Sequence, residues 1–354
     1  MRDPRVDQLA EILVRYSTEL KRGDKLLIHG PELAQPLALA VYREALLVGA
    51  LPVLWSTFDE AARVLFDVGD EAQLAWENPI LIGAARSVDA YVSLRAPTNL
   101  RMLSTVEPAK TILAQKARRP FLDVVLQKRW VLCEFPTPAL AQEAGMSLRE
   151  FEEFSFGAVL IDWPAMRTEL ARRKRQLQAG HEIRIVGRGT DLRMGIGGRV
   201  WVADDGKHNM PGGEIFTGPI EDSVEGEIAY EYPAVHNGRE VEGVRMRFAS
   251  GRVVDASATR GEEFLLSMLD VDEGARRLGE LGIGTNYGIS RHTKSVLFDE
   301  KIGGTVHLAV GRSYEETGGT NASAVHWDMV KDLREGGELH LDGKVVQRGG
   351  RWLD

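Results

Sequence analysis

The sequence changes character near residue 160, and this change constrains the fold more than any other feature. Before that point, short apolar runs typical of buried strands alternate with amphipathic stretches typical of helices. The predicted strands cover residues 25–29, 51–55, 90–94 and a segment around Cys133, and the predicted helices cover residues 5–21, 32–48 and 107–128. Because strands and helices that alternate through short links form a parallel sheet covered by helices, we predict an N-terminal α/β domain with a mainly parallel sheet over residues 1–160.

A different pattern follows this first domain. Residues 147–178 are predicted to be helical, and from His181 onward short β-type segments are separated by glycine and Asn/Asp turns. The predicted strands cover residues 183–186, 244–248 and 251–254, the predicted turns include Asp204-Asp205-Gly206 and Asn237-Gly238, and one helix is predicted from Gly261 to Leu278. We therefore predict a β-rich α+β domain over residues 161–354.

Charge and cysteine content exclude several classes of function. Lys and Arg number 44 against 52 Asp and Glu, and the resulting net charge of −8 argues against nucleic acid or an anionic membrane as the main partner. The basic run at residues 172–175 is short and is interpreted as a solvated helix face. Cys133 is the only cysteine, so neither an intrachain disulfide nor a cysteine zinc cluster can form. Because no apolar segment resembles a signal peptide or a membrane span, we expect a cytoplasmic protein.

Two common kinds of catalytic motif do not fit the sequence. Gly195-Ile196-Gly197-Gly198 and Gly282-Ile283-Gly284 lack the spacing of a dinucleotide fingerprint or a P-loop, and we predict that both are turns. The sequence also contains no Gly-x-Ser-x-Gly elbow, and Cys133 lies in an apolar segment that predicts a buried strand. Nothing in the sequence supports covalent catalysis.

The second half of the chain instead contains the side chains of a metal site. His326 and Asp328 are two residues apart, so they would point to the same face of a strand. His307 lies in another strand-like segment, and Glu214 and Glu280 lie in apolar surroundings, where a carboxylate needs a partner. Three acids and two histidines are the inventory of a two-metal hydrolase, although the inventory alone does not show that these residues converge.

At these positions the chain resembles peptidase family M29, the thermophilic aminopeptidases of the T and S types. The resemblance covers most of the chain and is most specific at residues 209–219, which read NMPGGEIFTGP. Further matching segments follow in the order of the family: 14–17 with 23–25, 189–192, 278–281, 298–300, 307–314 and 326–328. The resemblance implies an N-terminal α/β domain followed by a metal-binding catalytic domain.

The resemblance also implies roles for individual residues. The metal ligands are expected to be Glu214, Glu280, His307, His326 and Asp328. Tyr314 matches a tyrosine that lines the site of the family, and Glu300 falls on a family glutamate that we assign to substrate binding. For the mechanism, we expect Glu280 or Glu214, with Glu280 preferred, to carry the proton from the attacking water to the leaving amine, and Tyr314 to donate a hydrogen bond to the oxyanion. The expected cofactors are two divalent ions (zinc, cobalt, manganese or magnesium), and the expected assembly is a homodimer.

The resulting hypothesis is a metal-dependent aminopeptidase that hydrolyses the N-terminal residue of short peptides through a water activated by two metals. Two alternatives stay open. A di-metal hydrolase of another bond, such as a phosphoester, would need cations to hold the phosphate, and Arg291 and Arg312 are candidates. A catalytically inactive metal-binding relative is the second alternative, because many relatives have two adjacent glutamates where this chain has Gly213-Glu214.

Overall fold

The computed structural model describes residues 3–236 and 238–353. Met1, Arg2, Asp354 and Asn237 of the predicted Asn-Gly turn lie outside the described residues. The chain divides into two units. The first comprises Met1–Ile161 and Gly206–Pro211, and the second comprises Asp162–Asp205 and Gly212–Asp354. The predicted division at residue 160 did not include the return of residues 206–211 to the first unit.

The first unit is an α/β domain, as predicted. Its strands, numbered in chain order, are β1 Lys25–Pro31, β2 Leu51–Thr57, β3 Ala90–Arg95, β4 Arg129–Glu134 and β8 Asn209–Met210. Its α-helices are α1 Pro4–Glu11, α2 Gln35–Leu47, α3 Asp59–Val68, α4 Glu71–Leu74, α5 Pro79–Arg86, α6 Pro108–Val125, α7 Pro138–Glu143 and α8 Leu148–Val159. The strands pair in the order β2-β1-β3-β4-β8, and every pairing is parallel.

Apolar runs explain why the central strands of this sheet form where they do. Leu26, Leu27 and Ile28 of β1 and residues 90–92 of β3 are buried on both faces, which is typical of a parallel sheet between helices. Cys133 is fully buried in β4, as predicted, and burial raises the pKa of its thiol. The predicted helix over residues 5–21 ends earlier, because α1 gives way to a π-helical turn at Ile12–Ser17.

The second unit is rich in antiparallel strands. They are β5 Glu182–Gly187, β6 Thr190–Gly195, β7 Val202–Asp204, β9 Glu214–Thr217, β10 Glu225–Ala229, β11 Ala234–His236, β12 Arg239–Val241, β13 Arg245–Ala249, β14 Arg252–Ser257, β15 Leu278–Gly284, β16 Thr305–Gly311, β17 His326–Asp332, β18 Glu338–Leu341, β19 Lys344–Arg348 and β20 Arg351–Trp352. Its α-helices are α9 Trp163–Gln178, α10 Glu262–Leu269 and α11 Val296–Asp299. Short 3-10 turns lie at Glu32–Ala34 in the first unit and at Glu273–Arg276 and Glu315–Thr317 in the second.

Two antiparallel sheets form the framework of this unit. The larger has the order β14-β13-β10-β6-β5-β18-β19-β20. The smaller has the order β17-β16-β15-β9-β7, and we call it the site sheet. Leu192 and Met246 of the larger sheet share one apolar core with Leu281 and Leu308 of the site sheet. One face of the site sheet therefore packs into this apolar core, and only the opposite face is available for polar side chains.

Three predictions about the second unit were wrong in detail. The helix predicted from Gly261 to Leu278 ends at Leu269, and Leu278 instead begins β15. Gly282-Ile283-Gly284 was predicted to be a turn but lies inside β15, where β9 and β16 pair with it on both sides. The helix predicted over residues 147–178 is two helices, because Asp162 caps the start of α9.

No α-helix in the described ranges is both long enough and apolar enough to cross a lipid bilayer.

Candidate metal centre

The site sheet presents five predicted metal ligands on one of its faces. They are Glu214 on β9, Glu280 on β15, His307 on β16, and His326 and Asp328 on β17. Side chains alternate between the faces of a strand, so Leu281, Leu308 and Met329, each one residue away from a ligand, point instead into the apolar core. This alternation explains how acids and imidazoles collect on one side of a sheet whose other side is apolar.

Small residues between the ligands make room for their side chains. Gly282 is the cross-strand partner of His307, and a Cβ atom at Gly282 would lie 2.0 Å from the imidazole ring. Ala309 lies between Glu280 and Asp328, since it pairs with both across the neighbouring strands. The imidazole of His307 therefore lies directly over the backbone of β15, and a larger side chain at position 282 would displace it.

The donor atoms form two groups that share Glu280. We call Glu214, Glu280 and His307 the buried set, and we call Glu280, His326 and Asp328 the rim set. Within each set, one ligand atom from each residue lies within 4.8 Å of the others. Both predicted histidines and all three predicted acids therefore converge.

Glu280 is the centre of the arrangement. Its Oε1 lies 3.3 Å from Nε2 of His307, and its Oε2 lies 3.3 Å from Nε2 of His326. Nε2 of His307 is also 3.4 Å from Oε2 of Glu214, and Nε2 of His326 is 3.5 Å from Oδ2 of Asp328. Each set thus presents one imidazole nitrogen and two carboxylates, which is a donor set that suits a first-row divalent ion.

Backbone carbonyl groups fix both imidazole rings. Nδ1 of His307 lies 3.1 Å from the carbonyl oxygen of Glu300, and Nδ1 of His326 lies 2.7 Å from that of Arg312. If each Nδ1 donates its proton to the carbonyl, Nε2 is left to face the carboxylates as a metal ligand. This is the outer hydrogen bond that metal-binding histidines usually make.

Burial and mutual charge strongly perturb the ionisation of these groups. Burial opposes the charge on Glu280, but its hydrogen bonds with His307 and His326 lower the pKa of Glu280 to about 2. Burial likewise opposes the imidazolium forms, yet the neighbouring carboxylates raise the pKa of His307 to about 9 and that of His326 to about 10. Burial together with nearby Glu300 raises the pKa of Asp328.

Two buried oxygens test whether the centre fits a cation. Oε2 of Glu214 and Oδ1 of Asp328 are buried and accept no hydrogen bond within residues 3–236 and 238–353. One of these oxygens belongs to the buried set and the other to the rim set. A buried carboxylate oxygen that accepts no hydrogen bond is costly, and a divalent cation beside it would offset this cost. The residues present therefore fit a metal centre.

Tyr314 and Glu300, the other predicted site residues, lie beside the ligands. The ring of Tyr314 is 5.0 Å from that of His326 and 5.9 Å from that of Phe216. Burial and the charge of Glu280 raise the pKa of Tyr314, so its hydroxyl remains a hydrogen-bond donor. The carboxylate of Glu300 forms an ion pair with Lys301.

Sequence reasoning missed Lys301 and Phe216. Nζ of Lys301 lies 3.1 Å from Oε1 of Glu214, so a buried ammonium group touches the buried set. Phe216 follows Glu214 by two residues on β9 and lies on the same face. A lysine directly after two acids, Asp299 and Glu300, was the available signal for the first, and the two-residue spacing was the signal for the second.

Gly213 has a backbone reason to be glycine. Its φ is +108°, a conformation that side chains disfavour, and a Cβ atom there would lie 2.7 Å from Cβ of Asn286. Arg291 and Arg312, the candidate phosphate ligands, have exposed side chains. Arg312 instead contributes its backbone carbonyl to His326.

Comparison with known proteins agrees with this geometry. Residues 2–352 match the family model described as thermophilic metalloprotease (M29). The chain is 30% identical to aminopeptidase 2 of Geobacillus stearothermophilus, with 98% of this chain and 97% of that protein covered. It is 28% identical to aminopeptidase T of Thermus thermophilus, with 98% of each protein covered.

A solved structure extends the comparison to the fold. Wild-type AmpT from Thermus thermophilus superposes with a TM-score of 0.86 at 28% sequence identity, and 99% of each chain is covered. The family model matches almost the whole chain, and the site sheet presents the donor groups that a metal-dependent protease needs. This chain is therefore a member of the M29 family of metalloproteases.

Proposed function

We propose that this chain is a metal-dependent aminopeptidase that removes the N-terminal residue of short peptides. The observation that carries the proposal is the pair of ligand sets joined by Glu280 on one face of the site sheet. Membership of a metalloprotease family supports the reaction class, and relatives that match along their whole length are named aminopeptidases.

Two divalent ions are part of the proposal. The buried set would hold one and the rim set the other, with the carboxylate of Glu280 shared between them. When bound, such ions supply Lewis acidity toward the scissile carbonyl and lower the pKa of water. Zinc, cobalt and manganese are candidates, because a mixed carboxylate and imidazole set accepts several first-row metals. Magnesium is a candidate only through the resemblance to the family.

The chain's own residues would position the substrate and move protons. Glu280, with one oxygen toward each imidazole, is the proposed carrier of the proton from water to the leaving amine. Tyr314 would donate a hydrogen bond from its protonated hydroxyl to the developing oxyanion. Glu300 is the proposed substrate-binding residue, since its side chain keeps 18% of its exposure while it pairs with Lys301.

A homodimer and a cytoplasmic location complete the proposal. Strand β2 forms an edge of the parallel sheet, and its Leu51 and Val53 are 57% and 54% exposed. An exposed apolar edge strand readily pairs with another chain, so we propose that a second copy covers it. Light scattering during size-exclusion chromatography gives the mass of the assembly, and a monomer at micromolar concentration would contradict the dimer.

A chain with a single cysteine suits a reducing compartment, which supports the proposed cytoplasmic location.

The test of the activity uses metal-reconstituted protein. The chain would be stripped with a chelator, given cobalt, zinc, manganese or magnesium, and offered matched short peptides with free or acetylated N-termini. We expect mass spectrometry to show metal-dependent loss of one residue from the free peptides only, because an exopeptidase needs the α-amine. Hydrolysis of a phosphoester but not of peptides would favour the other hydrolase. Bound metal without any turnover would favour a catalytically inactive relative.

A further inference from the structure

A buried lysine lies against one half of the metal centre. Lys301 is only 1% exposed, and its Nζ lies 3.1 Å from Oε1 of Glu214 and 2.5 Å from Oε2 of Glu300. Asp204, the cross-strand partner of Glu214, adds a third carboxylate to the surroundings of this ammonium group. Burying an ammonium group is costly, so this position calls for an explanation beyond packing.

The two carboxylate oxygens of Glu214 have different neighbours. Oε1 forms an ion pair with the lysine, whereas Oε2 lies 3.4 Å from Nε2 of His307 and accepts no hydrogen bond in the described part of the chain. A carboxylate held by one oxygen has lost most of its freedom to rotate. Oε2 is therefore held toward the place where the buried set would bind its ion.

The rim set is built differently. Within the described residues, the carboxylates of Glu280 and Asp328 form ion pairs with imidazoles and not with lysine or arginine. The ammonium group thus contacts a carboxylate of the buried set and none of the rim set. Removing it should accordingly affect the ion of the buried set far more than the ion of the rim set.

We propose that Lys301 is a positioning residue, which fixes Glu214 through Oε1 so that Oε2 binds the ion of the buried set. This inference rests on the proposed two-ion function. The role resembles that of the outer hydrogen-bond partners of metal ligands, whose loss typically weakens metal affinity by about 10–100-fold. Repulsion acts in the opposite direction, since a nearby positive charge repels a cation and its removal alone would tighten binding. A fall in metal affinity on removal of Lys301 would therefore indicate positioning, and a rise would indicate repulsion.

The experiment is a calorimetric titration of the chelator-treated protein with cobalt(II). We expect two binding steps in the wild type. Glu214→Gln should remove the step that belongs to the buried set, which identifies it. Lys301→Met should weaken that same step by about 10–100-fold and leave the other within about twofold. A tightened step, or two unchanged steps, would overturn the proposal.

A second buried lysine provides the matched control. Lys331 is fully buried and pairs with Glu231 at 2.5 Å. It lies three residues after Asp328 on β17, and because side chains alternate along a strand, it points to the face opposite the ligands. Lys331→Met should change neither binding step by more than about twofold, even if it lowers stability as the loss of a buried pair does. Equal weakening in both lysine variants would reduce the Lys301 effect to a general loss of structure and overturn the positioning role.

A milder variant keeps the test decisive if Lys301→Met does not fold. Lys301→Gln retains one hydrogen-bond donor for Glu214 without the charge, so we expect a smaller loss at the same step, and an unchanged step contradicts the proposal. Failure of the wild type to bind any ion would overturn the proposed function together with this inference. Two ions with normal peptide turnover, but no effect of Lys301, would overturn the inference alone.

Discussion

The two five-stranded sheets of this chain bury opposite kinds of side chain. The parallel sheet of the first unit buries apolar residues, such as Leu26 and Val92, which stabilise the fold by leaving water. The site sheet of the second unit buries Glu214, Glu280 and His307 on one of its faces. Charged groups in such surroundings oppose folding unless they are paired. The comparison teaches that one face of the site sheet is shaped by a function that stability alone would not select.

The largest effect is expected at Glu280, the residue that both ligand sets share. Glu280→Gln keeps the size of the side chain but removes its charge, so we expect both ions to bind more weakly. We expect kcat/KM for a free-N-terminus peptide to fall by at least about 100-fold, because loss of even an outer partner of a metal ligand costs 10–100-fold. Glu263→Gln, on the exposed face of α10, is the control and should stay within about twofold. Activity of Glu280→Gln within about tenfold of the wild type would contradict the assignment.

Substitution of a glycine in each unit tests whether close packing at the site sheet is needed for metal binding. A Cβ atom at Gly282 would lie 2.0 Å from the ring of His307, so Gly282→Ala must move this proposed metal ligand. We expect about tenfold lower metal affinity, and the free energy of unfolding should fall by about 1–3 kcal/mol, the usual range for overpacking. Isothermal titration and urea denaturation measure the two effects.

The matched control lies in the first unit. Gly83 is inside helix α5 and has no atom within 4 Å of the position that a Cβ would take. Gly83→Ala should therefore leave metal binding unchanged and raise stability by about 0.5–1 kcal/mol, since glycine disfavours the helix. An equal change in metal affinity in Gly282→Ala and Gly83→Ala would contradict a role for the close packing of His307 over β15 in metal binding.

The smallest effect concerns a histidine in the first unit. Burial lowers the pKa of His29 to about 4, with a further contribution from Arg118. The unfolded chain therefore binds this proton more readily than the folded chain, so stability is lost as the pH falls from about 6.5 toward 4. We expect His29 to account for about 2 kcal/mol of the stability lost between pH 7 and pH 5. Urea denaturation of the wild type and His29→Phe at both pH values measures this difference. An identical pH dependence in the two proteins would refute it.

The sequence predicted the framework well where one physical signal dominated. The apolar runs of β1 and β3 could only be buried strands, and the two-residue spacing of His326 and Asp328 placed both on one face of β17. The fold class and the family follow from such local signals and from the order of the motifs. The five ligand candidates also converge, although their role in binding metal stays a prediction.

The rest depended on contacts between segments that are distant in the sequence. Gly282 looked like part of a turn, because only the register of β15 against β16 shows that the ring of His307 needs the space. Lys301 was assigned no role from the sequence, because only the folded chain brings Glu214 to within 3.1 Å of it. The return of residues 206–211 to the first unit left no local signal either, since it is defined by pairing with β4.

Anomalous diffraction from crystals of the cobalt-loaded protein tests the central claim most directly. Data collected at the cobalt absorption edge locate the ions without reference to activity. We predict two peaks, one among Glu214, Glu280 and His307 and one among Glu280, His326 and Asp328, with Glu280 in contact with both. Cobalt bound elsewhere on the chain, with neither set occupied, would contradict the account.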